Sequence, residues 1–272
     1  MQRRRFLLAG AALVPAWGFG LARADDDPPS PEWEQLRGQL FGDRPIATEG
    51  PALPLLEVPA RAADAATVPV AISSPFDQSA ARHVKTLYLV IDRNPSPVAA
   101  IFRFAPESGR AEVVTRVRIE QYTFVRAIAE LDDGSLHLAS RYVKAAGGCS
   151  APAGKDPAAA AANLGQLRLR VDAALEDGPR RARLMIRHPN TSGLAMDQIT
   201  RYYAKPHFVR EVTVSYRGRP VLKAELTFAI SENPDFGFRF LPGGGGELEA
   251  RVVDTENLAF TSRVAVAVPG TP

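Results

Sequence analysis

From Pro51 to Val143, and again from Leu167 to Val268, short runs of β-branched and aromatic residues alternate with turn residues, and no amphipathic helical run separates them. Such a chain cannot build parallel βαβ units, which need a crossover helix between paired strands. It can close its strands into an antiparallel sandwich, so the expected fold class is all-β. In the first stretch Val68 to Ile72, Lys85 to Ile91, Ala99 to Phe104, Val113 to Ile119 and Tyr122 to Leu131 read as strands. Asn94-Pro95-Ser96-Pro97, Glu107-Ser108-Gly109 and Asp132-Asp133-Gly134 supply the turns, and Leu136 to Val143 returns beside the preceding strand. In the second stretch Leu167, Leu169 and Val171 alternate, as do Ala182, Leu184 and Ile186. Val212, Val214 and Tyr216 then lead through Arg217-Gly218, a tight hairpin turn, into Arg219, Val221 and Lys223. Phe236 to Leu241, Leu248 to Val253 and Ala259 to Val268 complete the pattern, with Gly243 to Gly246 read as a flexible tip.

Between the stretches, Pro152 to Gly165 shifts to alanine, glycine and proline, a linker with room for a helical turn or two over Ala158 to Ala162. At the other end, Ser30-Pro31-Glu32-Trp33-Glu34 opens a short helix: Ser30 can cap it, and Trp33, Leu36, Leu40 and Phe41 share one side. Gly42 ends that helix, which reads as a lid packed on a sheet.

Arg3-Arg4-Arg5-Phe6-Leu7 is a twin-arginine pattern, followed by an apolar run to Leu21 and a small-x-small site at Ala22-Arg23-Ala24. Residues 1–24 are therefore expected to be a signal peptide for export to the periplasm. The apolar run is shorter than the ~20 residues that span a bilayer, so no membrane association is expected after its removal. The formal charge of +3 comes from 33 basic and 30 acidic residues, but Arg3, Arg4, Arg5 and Arg23 leave with the signal. The 29 remaining basic residues balance 30 acidic ones at −1, which removes the electrostatic footprint of a nucleic-acid binder. The expected organisation is thus 1–24 signal, 25–146 first sandwich, 147–165 arm and linker, 166–272 second sandwich.

The chain holds one cysteine, Cys149, so an internal disulfide is impossible even in an oxidising compartment. It stands in Gly147-Gly148-Cys149-Ser150-Ala151, where the glycines reach conformations closed to other residues and the alanines offer little to pack. The expectation is a mobile arm, made flexible by Gly147 and Gly148, that exposes a nucleophilic thiol whose acidity Lys144 or Lys155 could raise slightly. Catalysis needs held geometry, so such a thiol is better suited to carrying a cargo than to turnover, and the protein is not expected to be an enzyme. The histidines His83, His137, His188 and His207 lie far apart, without zinc-ligand spacing, so no metal site and no cofactor are expected. His188-Pro189-Asn190 reads as a strand ending in a turn, and His137 as a solvent-facing strand residue.

These segments resemble a known family, the two-subunit sulfur carrier of bacterial thiosulfate oxidation, SoxY and SoxZ, fused on one chain. The SoxY resemblance is carried by Ala66-Thr67-Val68-Pro69-Val70, Asn94-Pro95-Ser96-Pro97-Val98, Thr115-Arg116-Val117-Arg118-Ile119, Asp133-Gly134, and Val143-Lys144 followed by Gly147-Gly148-Cys149. The SoxZ resemblance is carried by Leu184-Met185-Ile186-Arg187-His188-Pro189, Thr191-Ser192-Gly193, Tyr216-Arg217-Gly218-Arg219-Pro220-Val221 and Ile230-Ser231-Glu232-Asn233-Pro234. Fused forms resemble carriers associated with quinoprotein dehydrogenases. The resemblance implies two immunoglobulin-like β-sandwiches, with Cys149 as the covalent attachment point for a sulfur-containing cargo. It implies periplasmic partners: c-type haem proteins, a hydrolase or a quinoprotein dehydrogenase. The chain departs from the family at Ser150-Ala151, which replaces trailing glycines, and in continuing past the arm into a second domain. A doubly tethered arm would need a wider partner pocket than a free tail. The alternative reading is a non-covalent binding or assembly module for a periplasmic quinoprotein dehydrogenase, in which the cysteine is incidental.

Overall fold

The computed structural model describes residues 28–152, 162–172, 178–196 and 201–267. The expected signal at 1–24, Lys155 and most of the linker fall outside them. Two sheets form the described fold. In the first half of the chain, β1 (Ile46–Ala47), β2 (Leu55–Glu57), β3 (Val68–Ser73), β4 (Val84–Ile91), β5 (Val98–Phe104), β6 (Glu112–Val117), β7 (Thr123–Leu131) and β8 (Leu136–Val143) follow the expected runs, with β1 and β2 as short additions. The second half contributes β9 (Leu167–Val171), β10 (Arg180–Ile186), β11 (Val209–Tyr216), β12 (Arg219–Leu226), β13 (Asp235–Phe240), β14 (Gly246–Asp254) and β15 (Ala259–Val266).

Each half forms a sandwich of two facing sheets, and the sheets run on from one half into the other. One sheet has the order β1-β8-β7-β4-β5-β12-β11-β14-β15, and the other β2-β3-β6-β13-β10-β9. The β5–β12 pairing sets Phe102 opposite Ala224 and Arg103 opposite Lys223, and β6–β13 sets Val113 opposite Phe238. All named strand pairs are antiparallel except β1 with β8. Alternation turns every second side chain inward, so Val68, Val70 and Ile72 of β3 and Phe236, Phe238 and Phe240 of β13 enter one continuous core. Phe102 meets Phe236 edge to face across the two halves, with centroids 6.4 Å apart. Arg217 and Gly218 both have positive φ, 52° and 75°, as the hairpin between β11 and β12 requires.

The helix α1 (Pro31–Phe41) lies on the outer face of the long sheet, where Trp33 and Phe41 pack with Val90, Ile128, Leu136 and Leu138. Its N-terminus departs from expectation, because Ser30 makes no side-chain cap. The Ser30 hydroxyl donates instead to Asp92 Oδ2 at 2.5 Å. Asp92 is also gripped by Arg126 through Nε at 2.8 and 3.0 Å and Nη2 at 2.8 Å, and the Arg126 guanidinium stacks on Trp33. Removing one partner of so buried a pair typically costs about 3–5 kcal/mol, so this cluster, more than a cap, fixes the helix.

The Gly243 to Gly246 segment also differs from a free tip. Tyr216 donates its hydroxyl to Gly244 O, Arg217 donates to Gly243 O at 2.9 Å, and Gly246 begins β14. His137 is part-buried rather than solvent-facing, with Nε2 3.0 Å from Ser135 Oγ.

Candidate functional site

The segment after β8 runs back against the end of β6. Lys144 N–H donates to Ala60 O at 2.9 Å, Gly147 N–H to Glu120 O at 2.9 Å, and Gly148 N–H to Ile119 O at 2.9 Å, while Ile119 N–H donates to Ala65 O at 2.8 Å. Val143 and Ala145 join the core. The arm is therefore a pinned strand-like strip, and the two glycines have separate jobs. Gly147 takes a positive φ of 81° in open surroundings. Gly148 is needed for close approach: a Cβ there would stand 2.0 Å from Ala65 O and 2.8 Å from Ile119 N. The expected flexibility of Gly147 and Gly148 is thus replaced by one left-handed turn and one tight packing contact.

Cys149 is fully buried, 0% exposed, and not on an open arm as its surroundings in the sequence suggested. Its backbone is clasped from both halves of the chain. Its N–H donates to Glu120 Oε2 at 2.8 Å, and the same carboxylate takes Ser150 N–H at 3.1 Å and Ser150 Oγ at 2.9 Å. From the second half, Ser192 Oγ donates to Cys149 O at 2.6 Å and itself accepts Leu194 N–H at 3.2 Å. Burial pushes the Cys149 pKa up to about 12; the nearby Glu120 charge adds to the rise and the Arg118 guanidinium opposes it. At neutral pH this thiol is protonated and shielded. Lys144 is exposed, and the cation that acts on the thiol is Arg118.

Around the cysteine the halves are sewn together by polar contacts. Arg118 is 2% exposed and spans the seam, donating from Nη1 to Gly148 O at 3.4 Å and from Nη2 to Asn190 O at 3.1 Å. Its backbone N–H donates to Ala229 O at 2.7 Å, and Ser231 N–H donates to Arg116 O at 3.1 Å. Asn94 accepts Glu120 N–H at 2.9 Å and donates to Arg118 O at 2.7 Å, which sets the Arg118–Glu120 strip in place. Asn190, at φ 43°, donates to Ile230 O at 3.2 Å and accepts Val209 N–H at 3.0 Å. Arg118, Glu120, Asn94, Asn190 and Ser192 were not singled out from sequence. Arg118, Ser192 and Asn94 do lie inside segments that carry the family resemblance, and Asn94 and Asn190 stand in the proline turns.

His188 and His207, distant in sequence, come together with Asp254, their ligand-type atoms within 4.8 Å of one another. His207 Nε2 lies 2.8 Å and His188 Nε2 3.6 Å from Asp254 Oδ2. Asn190 N–H donates to His188 Nδ1 at 3.0 Å, which leaves the ring proton of neutral His188 on Nε2, the nitrogen that faces Asp254, so neither ring nitrogen offers a free lone pair to a metal. Burial, with the adjacent His207, holds the His188 pKa down at about 4. This cluster braces the base of the Asn190–Ser192 loop: His207 also exchanges backbone hydrogen bonds with Thr191 at 2.7 and 3.0 Å.

Residues 37–149 match the family of sulfur oxidation protein SoxY, and residues 168–265 that of sulphur oxidation protein SoxZ. Among solved structures, the sulfur carrier protein SoxY from Chlorobium limicola f thiosulfatophilum is 23% identical, covering 42% of this chain and 96% of that one at a TM-score of 0.35. Superoxide reductase (neelaredoxin) from Ignicoccus hospitalis is 19% identical, covering 34% and 80% at 0.31. The fibronectin(III)-like modules of Clostridium thermocellum CbhA are 13% identical, covering 83% and 92% at 0.21. No curated protein matches the chain.

Proposed function

Because the chain is a fused SoxYZ-like protein, a sulfur-oxidation carrier rather than an enzyme, we propose that it holds a sulfur-containing intermediate covalently on Cys149 and presents it to periplasmic partners. The observation that carries this reading is the placement of the one cysteine at the seam, where the SoxY half supplies the strip that bears it and the SoxZ half supplies the hydroxyl that closes over it. In the closed state the thiol is neutral and unreactive. Loading requires the clasp to open and the thiolate, the nucleophilic form, to appear. The partners are enzymes of sulfur oxidation, such as c-type haem proteins or a hydrolase, or a quinoprotein dehydrogenase. The arm is tethered on both sides by its own chain, so it would enter a partner pocket as a doubled strand.

Intact mass of the purified chain after incubation with sulfide, thiosulfate or cell extract tests the reading. A discrete adduct is expected on the wild type and none on Cys149→Ala; no adduct under any condition refutes it.

The burial of Cys149 favours one other reading, a non-covalent assembly module for a periplasmic quinoprotein dehydrogenase in which the cysteine is a packing residue. In that case Cys149→Ser would keep pathway activity.

A further inference from the structure

The Arg118 guanidinium is buried, and its Nε has no hydrogen-bond partner. Its other contacts are backbone carbonyls, and among the described residues no carboxylate forms an ion pair with it. Burial, the largest influence, lowers its pKa from the usual arginine value, against the charges of Glu232, Cys149 and Asp64. A buried cation without a paired anion is strongly destabilising, whereas an apolar side chain of similar volume would fill the same space without that penalty.

We propose that the anion belonging to Arg118 arrives on Cys149: Arg118 is the binding group for the negative charge of the loaded cysteine, whether a terminal thiolate sulfur or a terminal sulfonate. The inference rests on the carrier reading above and names the residue that recognises the cargo. Arg118 touches the carbonyl of the residue just before the cysteine, and its charge and that of Cys149 act on each other. Glu120, the other charged group at the arm, is committed to the Cys149 and Ser150 amides and repels an anion. A free thiol in this seat sheds its charge by taking a proton, but a sulfonate cannot, so it needs a cation in so low a dielectric. The open Nε–H, together with an adjacent Nη–H, forms the side-on fork that binds two oxygens at once. Cys149 has no exposed surface, so a cargo reaches it only if the arm moves. Loading therefore shifts the arm and breaks the long Nη1 contact with Gly148 O, while Nη2, whose second N–H completes the fork with Nε–H, stays anchored on Asn190.

Two adducts of opposite character test this. With tetrathionate the Cys149 thiolate attacks an inner sulfur, thiosulfate leaves with the electron pair of the broken S–S bond, and Sγ–S–SO3⁻ remains. With methyl methanethiosulfonate, methanesulfinate leaves and the neutral Sγ–S–CH3 remains; in both reactions the thiol proton goes to solvent. Each adduct is confirmed by intact mass, and its half-life against a dilute thiol is measured in the full-length wild type, Arg118→Met and Arg118→Lys. The ratio of anionic to neutral half-lives is expected to fall at least tenfold in Arg118→Met and by less in Arg118→Lys, which keeps the charge without the fork. Because both adducts sit on the same variant, a general loosening of the fold cancels in that ratio. A ratio in Arg118→Met equal to the wild-type ratio overturns the proposal, and if the Met variant does not fold, equality in Arg118→Gln, which also removes the charge, does so. Failure of either reagent to load the wild-type chain refutes the carrier reading itself, a different and separately visible outcome.

Discussion

Two of the joints between the halves of the molecule are of different kinds. At β5–β12 and β6–β13 the halves meet as sheet running into sheet, over an apolar core shared by Phe102, Phe236 and Phe238. At the arm they meet through single polar contacts: Ser192 to the Cys149 carbonyl, and Arg118 to the Gly148 and Asn190 carbonyls. Burial of large side chains is worth several kcal/mol per residue and is lost only with the fold. A lone hydrogen bond contributes about 1 kcal/mol net and can open by itself. A carrier needs both: a permanent joint that keeps its parts in register, and a reversible one that covers and uncovers the thiol.

The contrast predicts effects of decreasing size. Phe102→Ala removes a fully buried ring from the permanent joint and is expected to cost about 3–5 kcal/mol. Denaturant unfolding should still show one transition for both halves; separate transitions for the two halves would break the comparison at its strong end. With a pKa near 12, the Cys149 thiol of the folded protein should react with an alkylating agent at pH 8 roughly a thousandfold more slowly than a free thiol. The raised value also sets a sign. The closed arm keeps the full contribution of the neutral thiol below the unfolded value of about 8.5 and loses it as pH rises towards 12, and Cys149→Ala should remove that alkaline slope. Gly148→Ala drives a Cβ against Ala65 O and Ile119 N and should cost about 1–3 kcal/mol. The cost should appear as faster Cys149 alkylation with little change in the unfolding of the core, which stopped-flow labelling and chemical denaturation would distinguish. Smallest is Ser192→Ala, which removes one hydrogen bond of the clasp at about 1 kcal/mol, a rise of about fivefold in alkylation rate. Equal alkylation rates in Ser192→Ala and wild type would mean that the second half does not guard the thiol.

The strands could be read from the sequence because alternation acts locally: Val68, Val70 and Ile72 declare their inward face whatever lies beside them. Which strand lies beside which is another matter. Nothing in Ala99 to Phe104 shows that its neighbour is Arg219 to Leu226, more than a hundred positions away, because inward-facing side chains constrain the opposing sheet more than the adjacent strand. The arm misled for a different reason. Glycine is the residue both for freedom and for close approach, and only the position of Ala65 O shows that Gly148 serves the second. The burial of Cys149 depends in turn on Glu120 and Ser192, ordinary surface types that become part of a clasp only after the halves have joined. His188, His207 and Asp254 show the same limit, since they meet only where the end of β14 reaches segments that follow β10 and precede β11.

Placing both sides of the clasp on one polypeptide has a consequence for how the thiol behaves as the protein is diluted. In a carrier of two separate subunits, cover supplied by the second would fall away as the complex dissociates. Here Ser192 and Cys149 belong to the same molecule, so opening is a unimolecular event whose equilibrium is independent of protein concentration. A scarce carrier guards its thiol as well as an abundant one.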